Sequence, residues 1–192
     1  ALYMAFVQSG APVPNEEPPP VLVNGSFDLG MNSGWTQLVN GREDKLIVYQ
    51  PENPEGIPAP VSAPYVAWLG GKASQVNQLL QSVRLPSSYA VSLEYMYYTE
   101  SGEKECTQDV AALEAVIGGA SQPLQNIPLC AGSQTKAWRK ATVDLGAWRG
   151  QSLSLQFRSS LDAQKMSNLF LDNVRFCSSA PGAPATIPAC GG

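Results

Sequence analysis

Short β-type runs, each closed by a turn signal, constrain this chain more than anything else in it. Residues 21–23 precede Asn24-Gly25-Ser26. Residues 35–39 end at Asn40-Gly41, and residues 46–49 run into the proline-rich stretch PENPEGIPAP. Residues 65–69 stop at Gly70-Gly71, 75–85 at Pro86, 89–98 at TESGE and 110–117 at Gly118-Gly119. Residues 138–145, 153–158 and 169–176 complete a set of about ten, at the spacing of a sandwich. Several runs alternate with period two. Val91, Leu93, Tyr95 and Tyr97 share one face, as do Leu153, Leu155 and Phe157, and Ala111, Leu113, Ala115 and Ile117. One buried and one wetter face is the antiparallel pattern. No stretch has helical periodicity and no internal repeat is visible. The expectation is an all-β, antiparallel jelly-roll β-sandwich.

Composition agrees and removes several functions. A chain of 192 residues holds one sizeable core and is short for two. Only 15% of residues are charged, while Gly and Pro number 17 and 16, as suits a turn-rich sandwich. The net charge is -4 without a Lys/Arg cluster, so no nucleic-acid partner is expected. No apolar run approaches the ~18 residues of a membrane helix. Histidine, the commonest general base, is absent. No GxSxG elbow, phosphate loop or HExxH is present, and nothing singles out a carboxylate pair for glycoside hydrolysis. The chain reads as non-enzymatic.

Four cysteines, Cys106, Cys130, Cys177 and Cys190, allow three pairings. Without CxxC spacing or histidine, a zinc site would need four thiolates at odd spacings. Disulfides in an oxidising, extracellular compartment are the better reading. Local pairs are favoured: Cys106 with Cys130 around one apolar segment, and Cys177 with Cys190 pinning the Pro/Ala/Gly-rich tail, 178–192. No basic n-region precedes the apolar start, and Ala1 reads as a processed, mature terminus.

The amino-terminal segment stands apart. Residues 1–10 are apolar, and residues 11–20 carry five prolines, which favour an extended spacer of about 30 Å. The domain proper is expected over 21–177. In an extended strand Leu2, Met4 and Phe6 point one way, and Tyr3, Ala5 and Val7 the other. Such a strand could fill a groove in a neighbouring copy by donor-strand complementation and build a filament. The other reading is that it folds back on its own domain or is the remnant of a membrane-proximal segment.

Three segments resemble a known family. VNGSFDLGMNSGW, YVAWLGG…NQLLQSVRLP and LFLDNVRF resemble, in that order, the first, middle and last strands of galactose-binding-like jelly rolls. These are found in bacterial carbohydrate-binding modules and in accessory domains of secreted hydrolases and metallopeptidases. The resemblance implies a structural Ca2+ held by Asn24, Asp28 and Asp172, with hard oxygens from loop carbonyls. The alternative is that Asp172 caps N–H groups or faces water. It also implies glycan binding. Of four tryptophans, Trp68 and Trp138 lie inside strand patterns and Trp35 at a core position. Trp148, in the loop GAWRGQ, is the candidate glycan contact. Asn24-Gly25-Ser26 also spells a glycosylation sequon, and Glu100, Glu103, Glu105 and Asp109 read as a solvated hairpin tip. The sequence thus leads to a secreted or cell-surface structural subunit that binds other copies of itself, with a carbohydrate-binding or accessory module as the alternative.

Overall fold

The computed structural model describes residues 17–52 and 55–191. Two antiparallel sheets face each other. The strands are β1 (Thr36–Val39), β2 (Arg42–Glu43), β3 (Ile47–Tyr49), β4 (Tyr65–Gly70), β5 (Val76–Arg84) and β6 (Ser92–Ser101). They continue with β7 (Val110–Ile117), β8 (Ala120–Pro128), β9 (Arg139–Asp144), β10 (Ser152–Ser160) and β11 (Ser167–Cys177). One sheet has the order β2-β1-β5-β10-β7-β8 and the other β3-β4-β11-β6-β9. Neighbours that are distant in sequence, such as β5 beside β10 and β4 beside β11, make this a jelly roll.

The alternating residues meet between the sheets. Phe157 and Tyr95 stand edge to face with ring centroids 5.0 Å apart, and Trp35 and Phe27 extend the cluster. Leu79, Leu113, Leu155, Leu169 and Leu171 are fully buried around them. Each such side chain contributes about 1.5–3 kcal/mol. The buried Tyr95 hydroxyl donates to Gln125 Oε1 at 2.9 Å, which satisfies its one polar atom. Both expected disulfides are formed, Cys106–Cys130 and Cys177–Cys190.

Four sequence expectations change. Residues 21–23 are not a strand; the Gln81 side-chain amide instead imitates a ladder, accepting from Val23 N–H at 2.7 Å and donating to its carbonyl at 2.9 Å. Strand β8 was not expected, because Pro123 and Pro128 argue against a strand. It is the edge of its sheet, where missing N–H donors cost little. The supposed solvated hairpin tip buries two acids. Asp109, fully enclosed, accepts from Ser167 Oγ and Asp162 N–H, and Glu103 from Lys165 N–H. Finally, the end of the proline spacer lies on the domain. Glu17 accepts four hydrogen bonds, from the amides and hydroxyls of Ser87 and Ser88 at 2.7–3.0 Å. The strand residues Leu2, Tyr3, Met4, Phe6 and Val7 lie outside the described residues.

Candidate functional site

Strand alternation places a second set of side chains on the outer face of the five-stranded sheet. In β11, Leu169 and Leu171 enter the inter-sheet core, so Asn168, Phe170 and Asp172 face outward. Phe170 stacks with Trp68 at 5.9 Å and meets the Tyr98 edge at 6.1 Å; Trp138 adjoins Tyr98 at 6.0 Å. Trp68 and Trp138 therefore pack outside the main core. The loop that follows β3 covers this strip. Ile57 is buried on it, and Trp138 Nε1 donates to the Ala59 carbonyl at 2.8 Å.

The same loop closes over the two expected metal-binding acids. Ser62 donates its hydroxyl to Asp28 at 2.5 Å and its amide to Asp172 at 2.8 Å. Asp172 is fully buried and also accepts from Asn173 N–H at 2.7 Å. Burial pushes its carboxyl up to about 6, with the Asp28 charge adding to the effect and N–H donors from Ser62, Asn173 and Val61 opposing it. Asp28 Oδ1 is buried without a hydrogen-bond partner. Asn24 has another role. Its amide nitrogen donates to the Gly30 and Ser33 carbonyls and its Oδ1 accepts from Leu29 N–H, each at 3.0 Å. Its side chain is spent on holding the loop 24–33, which also shuts the sequon away from solvent. Among the described residues no three His, Cys, Asp or Glu side chains gather into a metal cluster; the two acids gather as a pair.

A cavity of about 470 Å3 opens beside them, where β11 bulges between Asp172 and Arg175. The bulge gives the chain one residue more than β6 opposite. Val174 N–H turns from the ladder to the Gly25 carbonyl at 2.8 Å. Ser26, Met96, Asn173 and Val61 form the walls, and Lys140 and Arg175 the charged rim. Beneath the rim sits Glu94. It takes two hydrogen bonds from Arg175, at 2.9 and 2.5 Å, and one from Gly191 N–H at 3.0 Å, with Lys140 Nζ 3.8 Å away. Burial would raise its pKa, but the Gly191 N–H and the Arg175 guanidinium outweigh burial and hold it below the usual carboxylate range. Glu94 thus stays ionised.

Trp148, the candidate glycan contact, is half-buried against the main core in the turn Gly146–Trp148. Trp35 is a core residue whose indole N–H donates to the Asn24 carbonyl at 2.9 Å. Sequence reasoning passed over Glu94, Lys140 and Arg175. Glu94 and Arg175 each occupy an outward phase between inward apolar neighbours, which is a readable signal, whereas Lys140 follows the exposed Arg139 and precedes the inward Ala141. Their meeting depends on β6 lying between β11 and β9, which no local pattern gives.

No protein-family model matches the chain, and no curated protein does. Solved structures are similar in fold. A family 61 carbohydrate-binding module solved with β-1,4-galactotriose has a TM-score of 0.55 at 17% identity, covering 80% of this chain and 94% of that one. The K3 adhesin domain of Lys-gingipain from Porphyromonas gingivalis has a TM-score of 0.55 at 14% identity, covering 83% and 99%. A cyclase from Fischerella has a TM-score of 0.50 at 15% identity, covering 84% and 96%. The chain shares the jelly-roll β-sandwich fold of these structures, in keeping with what its three segments resemble. The cyclase is a reminder that this fold alone does not decide between binding and catalysis.

Proposed function

We propose that this chain is a secreted, non-catalytic glycan-binding module whose docking surface is the β11-bulge cavity on the five-stranded sheet. The observation that carries the reading is the cavity itself. It combines hydrogen-bonding side chains, an apolar wall and a preformed floor locked by Glu94, as a small polar ligand requires. Two disulfides suit an oxidising compartment, and no helix among the described residues is long and apolar enough to cross a membrane.

This reading moves ahead of self-assembly. The strand on which assembly rested lies outside the described residues. The sheet edges within them discourage pairing: β2 and β3 are very short, β8 carries two prolines and β9 begins Arg139-Lys140.

Calcium belongs to the same reading as a structural ion. The orphaned Asp28 Oδ1 and the paired acids fit a hard cation, which would neutralise two carboxylates that otherwise repel. Asp28 and Asp172 would hold it, with carbonyl or water oxygens completing the set and Asn24 serving only the loop.

Glycan arrays followed by titration of any hit test the docking surface. Val61, 45% exposed on the cavity wall, is replaced by Trp to fill the space without removing a hydrogen bond. Val61→Trp should keep the wild-type melting temperature and lose glycan binding. Undiminished binding by this variant would place the site elsewhere.

A further inference from the structure

We infer that the ligand of this cavity is a glycan bearing an anionic group, the carboxylate of a uronic sugar or a sulfate ester. The inference rests on the glycan reading and adds the substrate class.

The argument is one of accessible charge. Lys140 and Arg175 contribute two positive charges, and Glu94 one negative. Their accessibility differs sharply: the Arg175 and Lys140 side chains are 43% and 39% exposed, and Glu94 only 4%. A ligand entering from solvent meets the cations first. Glu94 is also occupied, its Oε1 by Arg175 and its Oε2 by Gly191 N–H. It orients the guanidinium from below, and at 4% exposure it is poorly placed to accept from sugar hydroxyls.

Arg175 spends its Nε and one terminal nitrogen on a single Glu94 oxygen. The guanidinium has five N–H donors in a planar fork, so donors beyond those given to Glu94 remain on a side chain that lines the cavity. An anion that offers two oxygens side by side, as a carboxylate or a sulfate ester does, suits that fork, and an Arg held in place by a buried carboxylate loses little freedom on binding. Ser26 and Asn173 add neutral polar groups for hydroxyls, and Met96 and Val61 an apolar wall for a sugar face. The nearby acids do not cancel this field at the surface. Asp28 and Asp172 are turned under the loop, on Ser62, and neither lines the cavity. The chain as a whole is acidic, at a net charge of -4, so indiscriminate capture of polyanions is opposed while local recognition at this rim is not.

Affinity electrophoresis and calorimetry of the intact chain would compare polygalacturonate, dextran sulfate, and neutral β-1,4-galactan and xylan. An anionic polymer should bind about tenfold more tightly than either neutral one, the effect of one charge-assisted hydrogen bond, and salt should erode that margin. Whichever of polygalacturonate and dextran sulfate binds better identifies the anion as carboxylate or sulfate. Lys140→Gln, at an exposed position, should remove most of the preference with an unchanged melting temperature, and Arg175→Gln should do the same if it folds. Lys72→Gln, an exposed cation in the turn after β4, should leave it intact. Equal binding of neutral and anionic glycans would overturn the inference and leave the glycan reading standing. Binding of no glycan would overturn both. An anionic preference lowered equally by Lys72→Gln and Lys140→Gln would mean diffuse charge attraction and would also overturn it.

Discussion

Asp28 and Asp172 share one donor residue: Ser62 gives its hydroxyl to the first and its amide to the second, tying the opening loop to the last strand. The Asp172 carboxyl is raised to about 6, by burial first and the Asp28 charge second, against about 3.9 in an unfolded chain. Between about pH 4 and pH 6 the folded state therefore holds more protons, and stability rises as pH falls through that window. Glu17 and Glu94, both lowered, act in the opposite sense, so the informative quantity is a difference. In chelator, Asp172→Asn should be more stable than wild type at pH 7 by up to about 2–3 kcal/mol, with the gap closing toward pH 4. Parallel pH–stability curves for the two proteins would show that Asp172 does not titrate in this way.

Calcium should reverse that dependence. A cation that binds only the folded chain stabilises it by mass action, and it needs deprotonated carboxylates. Added calcium should raise the melting temperature at pH 7 and lose its effect as pH falls below about 6, where Asp172 takes up its proton. Asp28→Asn, which alters the acid with the unpartnered oxygen, should abolish the calcium response. A wild-type melting curve indifferent to calcium and chelator would leave the two acids as a hydrogen-bonded pair and nothing more.

The strands inside the sandwich were legible because burial of one face imposes period two: Leu153, Leu155 and Phe157 could be placed on the core side from sequence. The local disulfides followed from their spacing. Illegible parts depend on partners remote in sequence. Pro123 and Pro128 hide β8 from any local rule, since only edge position tolerates them. Trp68 and Trp138 alternate like core residues, yet a second apolar cluster exists on the outer face because the loop after β3 happens to cover it. Of the expected metal-binding set, Asp28 and Asp172 converge, but the short Asn24 side chain bonds its own loop first, as Asn does in turns. The charged rim was unreadable because Lys140, Glu94 and Arg175 meet only across β9, β6 and β11.

Glu17 should act as a local clasp. Its carboxylate is lowered to about 2, by the Ser88 and then the Ser87 amide. The clasp is therefore present above about pH 4 and lost as pH falls through about 2. Glu17→Ala should speed hydrogen exchange at the amides of Ser87 and Ser88 and free the segment that ends at Val23. The melting temperature should scarcely change, because an exposed interaction contributes little to global stability. Unaltered exchange at those two amides would mean the clasp is not populated in solution.

The disulfides close spans of 24 and 13 residues of separation. In the chain-entropy description each stabilises by about 3 kcal/mol, or roughly 6–12 °C for a chain of this size. Replacing Cys177 and Cys190 together by Ser should free the tail, expose Ile187 and lower the melting temperature by about that amount. Because Gly191 N–H bonds Glu94, the same variant should also loosen the cavity floor, whereas the Cys106/Cys130 pair of Ser variants should lower stability without touching binding. Non-reducing peptide mapping that found a Cys106–Cys177 link would refute both expectations.

Gly25 joins the opening motif to the cavity, and its replacement gives the most direct test of that join. A side chain at this position is excluded by space: a Cβ on Gly25 would lie inside contact distance of the Val174 carbonyl and against Leu22. The approach is that close because the Gly25 carbonyl accepts Val174 N–H at 2.8 Å, the hydrogen bond that holds the bulged strand away from β6. Gly25→Ala must push the loop off β11 or break this bond. Overpacking costs about 1–3 kcal/mol and a lost backbone hydrogen bond about 1, so a loss of about 2–4 kcal/mol is expected, or roughly 4–16 °C. Stability alone would not distinguish the cavity from any tight contact. The comparison is with Leu155→Ala, a core truncation of similar cost, about 2–5 kcal/mol, at a residue that is fully buried and does not line the cavity. Measured at a temperature where both variants remain folded, Gly25→Ala should weaken glycan binding and Leu155→Ala should not. A Gly25→Ala protein that melts and binds like wild type would mean that the loop and the bulge move independently, and the cavity would lose its claim to be preformed.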